Sequence, residues 1–164
     1  MALWATGMVL ASAQAACESP TAKAPTPKRS MDEGRALNII AQAIRAEGLT
    51  PEPPREVTLA GGTRVRMDVG VADKKIGFVY LTDMDARELG NAPVAQKPHA
   101  RDDLSIRLGT GSDEGVHVVV LFANDYLYDD NAGEEHEATA ITAESKLDRD
   151  ARDFVAIARK SHWP

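Results

Sequence analysis

The chain has 164 residues, 43% of them hydrophobic, and a formal charge of −6 at neutral pH. That length suits one domain with some additional sequence, large enough to form a core without a disulfide or structural zinc, and a single cysteine could supply neither within one chain. The acidic balance excludes a general affinity for nucleic-acid phosphates or for anionic lipid, both of which need clustered Lys and Arg.

Residues Ala2 to Ala16, ALWATGMVLASAQAA, contain no charged side chain. They are too few to span a bilayer, which takes roughly 20 apolar residues. Ala13, Gln14 and Ala15 place small residues at alternate positions, as a signal peptidase requires, so 1–16 is predicted to be a signal peptide, although no Lys or Arg near Met1 supplies the usual positive start. The lone cysteine follows at once. The run QAAC resembles a bacterial lipobox, with Gln14 where the motif has an apolar residue, and the resemblance implies that Cys17 becomes a lipidated N-terminus. Cleavage after Ala15 without lipid is the alternative; either route exports the chain to the bacterial periplasm or leaves it as a membrane-anchored lipoprotein. A catalytic role for Cys17 is not expected, because a reactive thiolate needs a positioned base and a structured pocket.

Pro20, Pro25 and Pro27, set among small and basic residues, make 17–29 an extended tether that cannot bury itself. A single folded domain is predicted over 30–164. It opens with SMDE, read as a capping box in which Ser30 and Glu33 exchange hydrogen bonds. Leu37, Ile40 and Ile44 then share one helical face, Ile39 and Ala43 widen it, and Gly48 ends the helix. Pro51, Pro53 and Pro54 forbid further helix and lead into a strand over Glu56 to Leu59.

Gly61-Gly62 signals a turn, after which Val65, Met67, Val69 and Val71 alternate with Arg64, Arg66, Asp68 and Gly70 as one half-buried strand. Ile76, Phe78 and Tyr80 form one face of a partner strand whose other face carries Gly77, Val79 and Leu81. Thr82 caps a short helix that runs to Leu89 and stops at Gly90, and NAPVAQKPHARDD is a loop by composition. LSIRL alternates weakly, whereas VHVVVLFA is apolar almost throughout, as expected of a central strand covered on both faces. Thr142 begins a last helix with Leu147, Ala151, Phe154 and Ala158 on one face. The sum is an α+β fold, a mostly antiparallel sheet of four to five strands packed with two longer helices.

Asp68, Asp73 and Lys75 resemble the metal-binding trio of the PD-(D/E)xK nuclease family, which implies two carboxylates on Mg²⁺ and a lysine stabilising charge at the reacting oxygen. The same stretch resembles a core found in uncharacterised exported bacterial proteins, approximately D-G-x-D-x-x-x-x-I-G-F-E-Y. Asp68, Ile76, Gly77, Phe78 and Tyr80 match, and Val69 and Val79 depart from it. No activity comes with that resemblance.

Between Arg107 and Lys146 nine carboxylates occur without a Lys or Arg, so Asp125, Asp129, Asn131, Glu134 and Glu135 are candidate hard ligands for Ca²⁺. Without the alternating acid and amide positions of an EF-hand, a solvated loop or a contact for a basic partner competes with that reading. His99, His117, His136 and His162 are too scattered for zinc, and His117, on a strand beside the acidic loop, is the place to look for an acid-base group. Tyr126, Tyr128 and Trp163 are candidates for an aromatic interface. No nucleophile elbow, phosphate-cradling loop or dinucleotide fingerprint is present. The expectation is a binding or interaction module of the cell envelope with a protein partner there, no cofactor and no nucleic acid. Membrane contact would come only through a lipid anchor, and the alternative is a metal-dependent phosphodiesterase built on Asp68, Asp73 and Lys75.

Overall fold

A computed structural model describes residues 27–98, 104–129 and 138–164. The leader, Cys17 and most of the tether lie outside the described residues, as do His99, Asn131, Glu134, Glu135 and His136. The elements in chain order are α1 (Glu33–Ala46), β1 (Pro51–Glu52), β2 (Arg55–Thr58), β3 (Arg64–Met67), β4 (Val69–Val71), β5 (Ile76–Leu81), α2 (Asp83–Leu89), β6 (Ser105–Leu108), β7 (His117–Phe122) and α3 (Ala140–Lys160). Five strands form a sheet in the order β1-β4-β5-β7-β6, antiparallel except where β5 meets β7, and β2 and β3 form a separate antiparallel hairpin. The fold is thus the α+β arrangement the pattern predicts, with two long helices of 14 and 21 residues.

Alternation along β5 and β7 sends side chains to both faces of the sheet, and each face has its own core. Phe78, Tyr80, Val119 and Leu121 pack under α1 and α3 with Ile40, Ile44, Leu147 and Phe154. Val79, Val118, Val120 and Phe122 pack on the opposite face with Val57, Val65 and Met67 of the hairpin and Val94 beyond α2. Phe78 and Phe154 meet edge to face, with ring centroids 5.1 Å apart.

The strand read as continuous through Val65, Met67, Val69 and Val71 is broken at Asp68. Val65 and Met67 belong to the hairpin-side core, whereas Val69 and Val71 belong to the helix-side core. A strict alternation cannot signal this, since the chain leaves one sheet and enters the other without losing its period. The first helix is capped by Asp32, whose side chain accepts from the Arg35 N–H at 3.2 Å, and not by Ser30. Met31 is buried, which draws the segment inward before the cap. The last helix starts earlier than predicted, with Thr139 and Thr142 as a reciprocal capping box. Order also reaches back into the predicted tether, because Arg29 and Tyr128 exchange backbone hydrogen bonds of 2.9 and 3.0 Å.

Candidate functional site

Apart from tyrosines, two polar side chains are buried among the described residues, Asp68 at 8% exposure and Ser105 at 3%, and each lines a cavity. Asp68 stands where β3 gives way to β4. Its backbone N–H donates to the Phe78 carbonyl at 2.8 Å, and its Oδ2 accepts from the Tyr80 N–H at 2.9 Å. The carboxylate therefore takes the place of a strand carbonyl where β4 has left the edge of β5. Its Oδ1 has Arg66 Nε at 3.9 Å, an ion-pair distance beyond hydrogen-bond reach. Burial pushes the carboxyl up to about 6; the Tyr80 N–H and Arg66 oppose the rise, while the negative charges of Glu33 and Asp85 add to it. The adjoining cavity, about 260 Å³, has Glu33 and Glu88 at its border and Val65, Val79, Leu81 and Leu89 as apolar walls.

Ser105 opens β6 and lines a larger cleft of about 740 Å³. Its Oγ is sealed from solvent and has no hydrogen-bond partner among the described residues, an exception that costs about 1–3 kcal/mol in a folded protein. The cleft lies at the carboxyl end of β7, beside the parallel strand β5. From there the chain leaves β5 for α2 on the hairpin face and leaves β7 for α3 on the helix face. No residue of β5 or α2 lines the cleft itself, which is walled by the start of β6, the end of β7 and α3. Asn124, after β7, donates to Asp83, after β5, across the two diverging connections.

Charges of both signs line the cleft. Lys97 Nζ lies 2.6 Å from Asp125 Oδ1, and Lys146 Nζ lies 2.8 Å from Asp150 Oδ2 and 4.6 Å from the centre of the Tyr126 ring. The Tyr126 hydroxyl donates to Asp150 at 2.9 Å, and burial, with this carboxylate next to it, raises the phenol above its ordinary range. Arg149 and Asp153 complete the α3 wall. Sequence reading missed Ser105 and this wall, although a signal existed: Lys146, Arg149, Asp150 and Asp153 are spaced as neighbours on one helix face, next to the apolar face of Leu147, Ala151 and Phe154.

The other candidates are dispersed. Asp73 sits in the β4–β5 turn at φ 59°, and Lys75 donates to the Glu114 carbonyl at 3.3 Å. Both lie at the opposite end of β4 from Asp68, and neither lines its cavity, so the three residues are not brought together as a metal-binding trio. Of the calcium candidates, Asp125 is paired with Lys97 and the Asp129 N–H donates to the Ala138 carbonyl at 2.9 Å; no three His, Cys, Asp or Glu residues among those described converge on a metal position. Tyr126 and Tyr128 are core residues, 2% and 7% exposed, and do not form the expected aromatic surface. Trp163 packs far from them, stacked on His117 with ring centroids 3.8 Å apart. His117 Nδ1 donates to the Gly115 carbonyl at 3.0 Å, and the residue opens β7, at the end remote from the acidic loop that was to make it an acid-base group. Comparison with family models, with curated proteins and with solved structures finds no match for this chain.

Proposed function

We propose that the chain is a binding module of the bacterial cell envelope. Residues 1–16 export it, processing before or at Cys17 leaves it on the 17–29 tether, and the cleft between β6, β7 and α3 receives a small ligand that carries both charges. The observation that carries this reading is the cleft itself: a cavity of about 740 Å³ between the start of β6, the end of β7 and α3, with a buried hydroxyl at Ser105 unsatisfied among the described residues and paired cations and carboxylates along its walls. Ligand groups of opposite sign can exchange with the resident pairs Lys97–Asp125 and Lys146–Asp150 without leaving an uncompensated charge.

The experiment has two arms. Full-length protein recovered from a bacterial envelope should have an intact mass corresponding to cleavage after Ala15 or to a diacylglyceryl Cys17. The purified domain, dialysed against a pool of periplasmic small molecules, should retain a zwitterionic compound identifiable by mass spectrometry, and Lys146→Glu with Arg149→Glu should release it with the far-UV spectrum unchanged. An unprocessed chain that retains nothing would overturn the reading.

A further inference from the structure

We infer that the cavity beside Asp68 is a socket for a basic side chain, an arginine or lysine presented by a protein partner. It is separate from the β6–β7–α3 cleft, and its occupant is a different class of molecule. The floor is a carboxylate whose side chain is 9% exposed and whose Oδ1 accepts no hydrogen bond from the described residues. The walls, Val65, Val79, Leu81 and Leu89, suit the aliphatic stem of a long side chain. Glu33 from α1 and Asp85 and Glu88 from α2 add negative charge, against Arg64 and Arg66 from β3, so the lining carries an excess of carboxylate. These carboxylates surround the cavity without converging as a metal cluster, which suits an extended organic cation and not a metal ion.

Arg66 is the internal analogue of the guest. Its side chain is 62% exposed and its Nε stops 3.9 Å from Oδ1, so it neutralises the floor from one side without making the hydrogen bond the floor can accept. A guest guanidinium or ammonium entering along the apolar walls supplies that bond. The Tyr80 N–H holds Oδ2, so the carboxylate is already oriented when the guest arrives.

The test is an NMR titration of the described domain, as part of the purified full chain, with acetyl-arginine amide, acetyl-lysine amide and acetyl-citrulline amide, the last having the shape of arginine without its charge. The two cations should shift the backbone amides of Tyr80 and Arg66 saturably, with Kd on the order of 1 mM, and the citrulline probe should bind at least about tenfold more weakly. Asp68→Asn, which keeps an acceptor for the Tyr80 N–H, should abolish the preference for charge. Arg66→Ala alters an exposed side chain and folds whatever the fate of the Asp68 variant; by removing the resident competitor it should tighten the arginine probe about threefold. Equal binding of arginine and citrulline probes, shifts confined to the β6–β7–α3 cleft, no saturable shift at all, or an Arg66→Ala variant that binds no better would each overturn the proposal.

Discussion

A carboxylate buried as deeply as that of Asp68 is a charge the fold must carry at neutral pH, and the direction of its shift fixes how stability depends on acidity. The ordinary carboxylate value is 3.8 and the folded value is about 6. Between the two the native state holds a proton that the unfolded chain has released, so stability falls as pH rises. The penalty is absent below about 3.8, grows through that window and is complete above about 6. Unfolding titrations at pH 4 and pH 7 should therefore show the wild type losing on the order of 2–3 kcal/mol relative to Asp68→Asn; parallel pH profiles for the two proteins would refute the assignment. Asp68→Ala should be worse than Asp68→Asn by about 1–3 kcal/mol at either pH, because it strands the Tyr80 N–H. Asp68 was legible as a residue of interest through its spacing to Asp73 and Lys75, a trio that the fold does not bring together. Its role was not, because the strand edge it completes belongs to β5, and only the departure of β4 leaves that edge open.

At the scale of elements, the close approach of the hairpin to the sheet depends on a missing side chain. A Cβ built on Gly77 would lie 2.0 Å from Met67 Sδ and 2.7 Å from its Cγ, so Met67 of β3 fills the space over β5 that any larger residue at 77 would occupy. Gly77→Ala should cost roughly 1–3 kcal/mol by overpacking, and Met67→Val in the same chain should recover part of it; additive losses measured by urea unfolding would show that the two do not compete for one volume. The caps give a second check. Asp32→Ala should cost about 1 kcal/mol of thermal stability and Ser30→Ala almost nothing. Local signals placed most of the elements well: Thr82 and Gly90 bound α2 as their chemistry requires, and Gly48, at φ 73°, ends α1. The capping-box pattern of SMDE pointed to Ser30 alone, whereas Asp32, two residues on, caps the helix and Met31 between them is buried. β1 was invisible because Pro51 and Glu52, in a proline-rich stretch, form a strand only by pairing with Val71 and Gly70 at the sheet edge.

For the whole molecule, the consequential feature is the insertion of β7 between β5 and β6, which makes the pair β5–β7 parallel and sets the end of β7 beside the start of β6, where the larger cleft lies. The apolar run of β7 announced a strand covered on both sides, but not which neighbours it would have, since pairing partners are set by contacts distant in sequence. The same insertion ties the two cores together. Residues adjacent along β5 and β7 feed opposite cores, so the hairpin-side layer cannot separate without exposing Val79, Val118 and Val120, whose backbones hold the helix-side layer in register. Unfolding should accordingly be one cooperative transition, with Trp163 fluorescence, reporting the helix side, superposing on far-UV circular dichroism, reporting the whole. Val57→Ala in the hairpin should lower that shared midpoint by on the order of 1–3 kcal/mol, and Phe154→Ala in α3 should lower it by roughly 3–5 kcal/mol. A Val57→Ala protein whose circular dichroism curve splits in two while its fluorescence midpoint stays at the wild-type value would show that the hairpin layer melts alone, and that the shared strands do not couple the two cores.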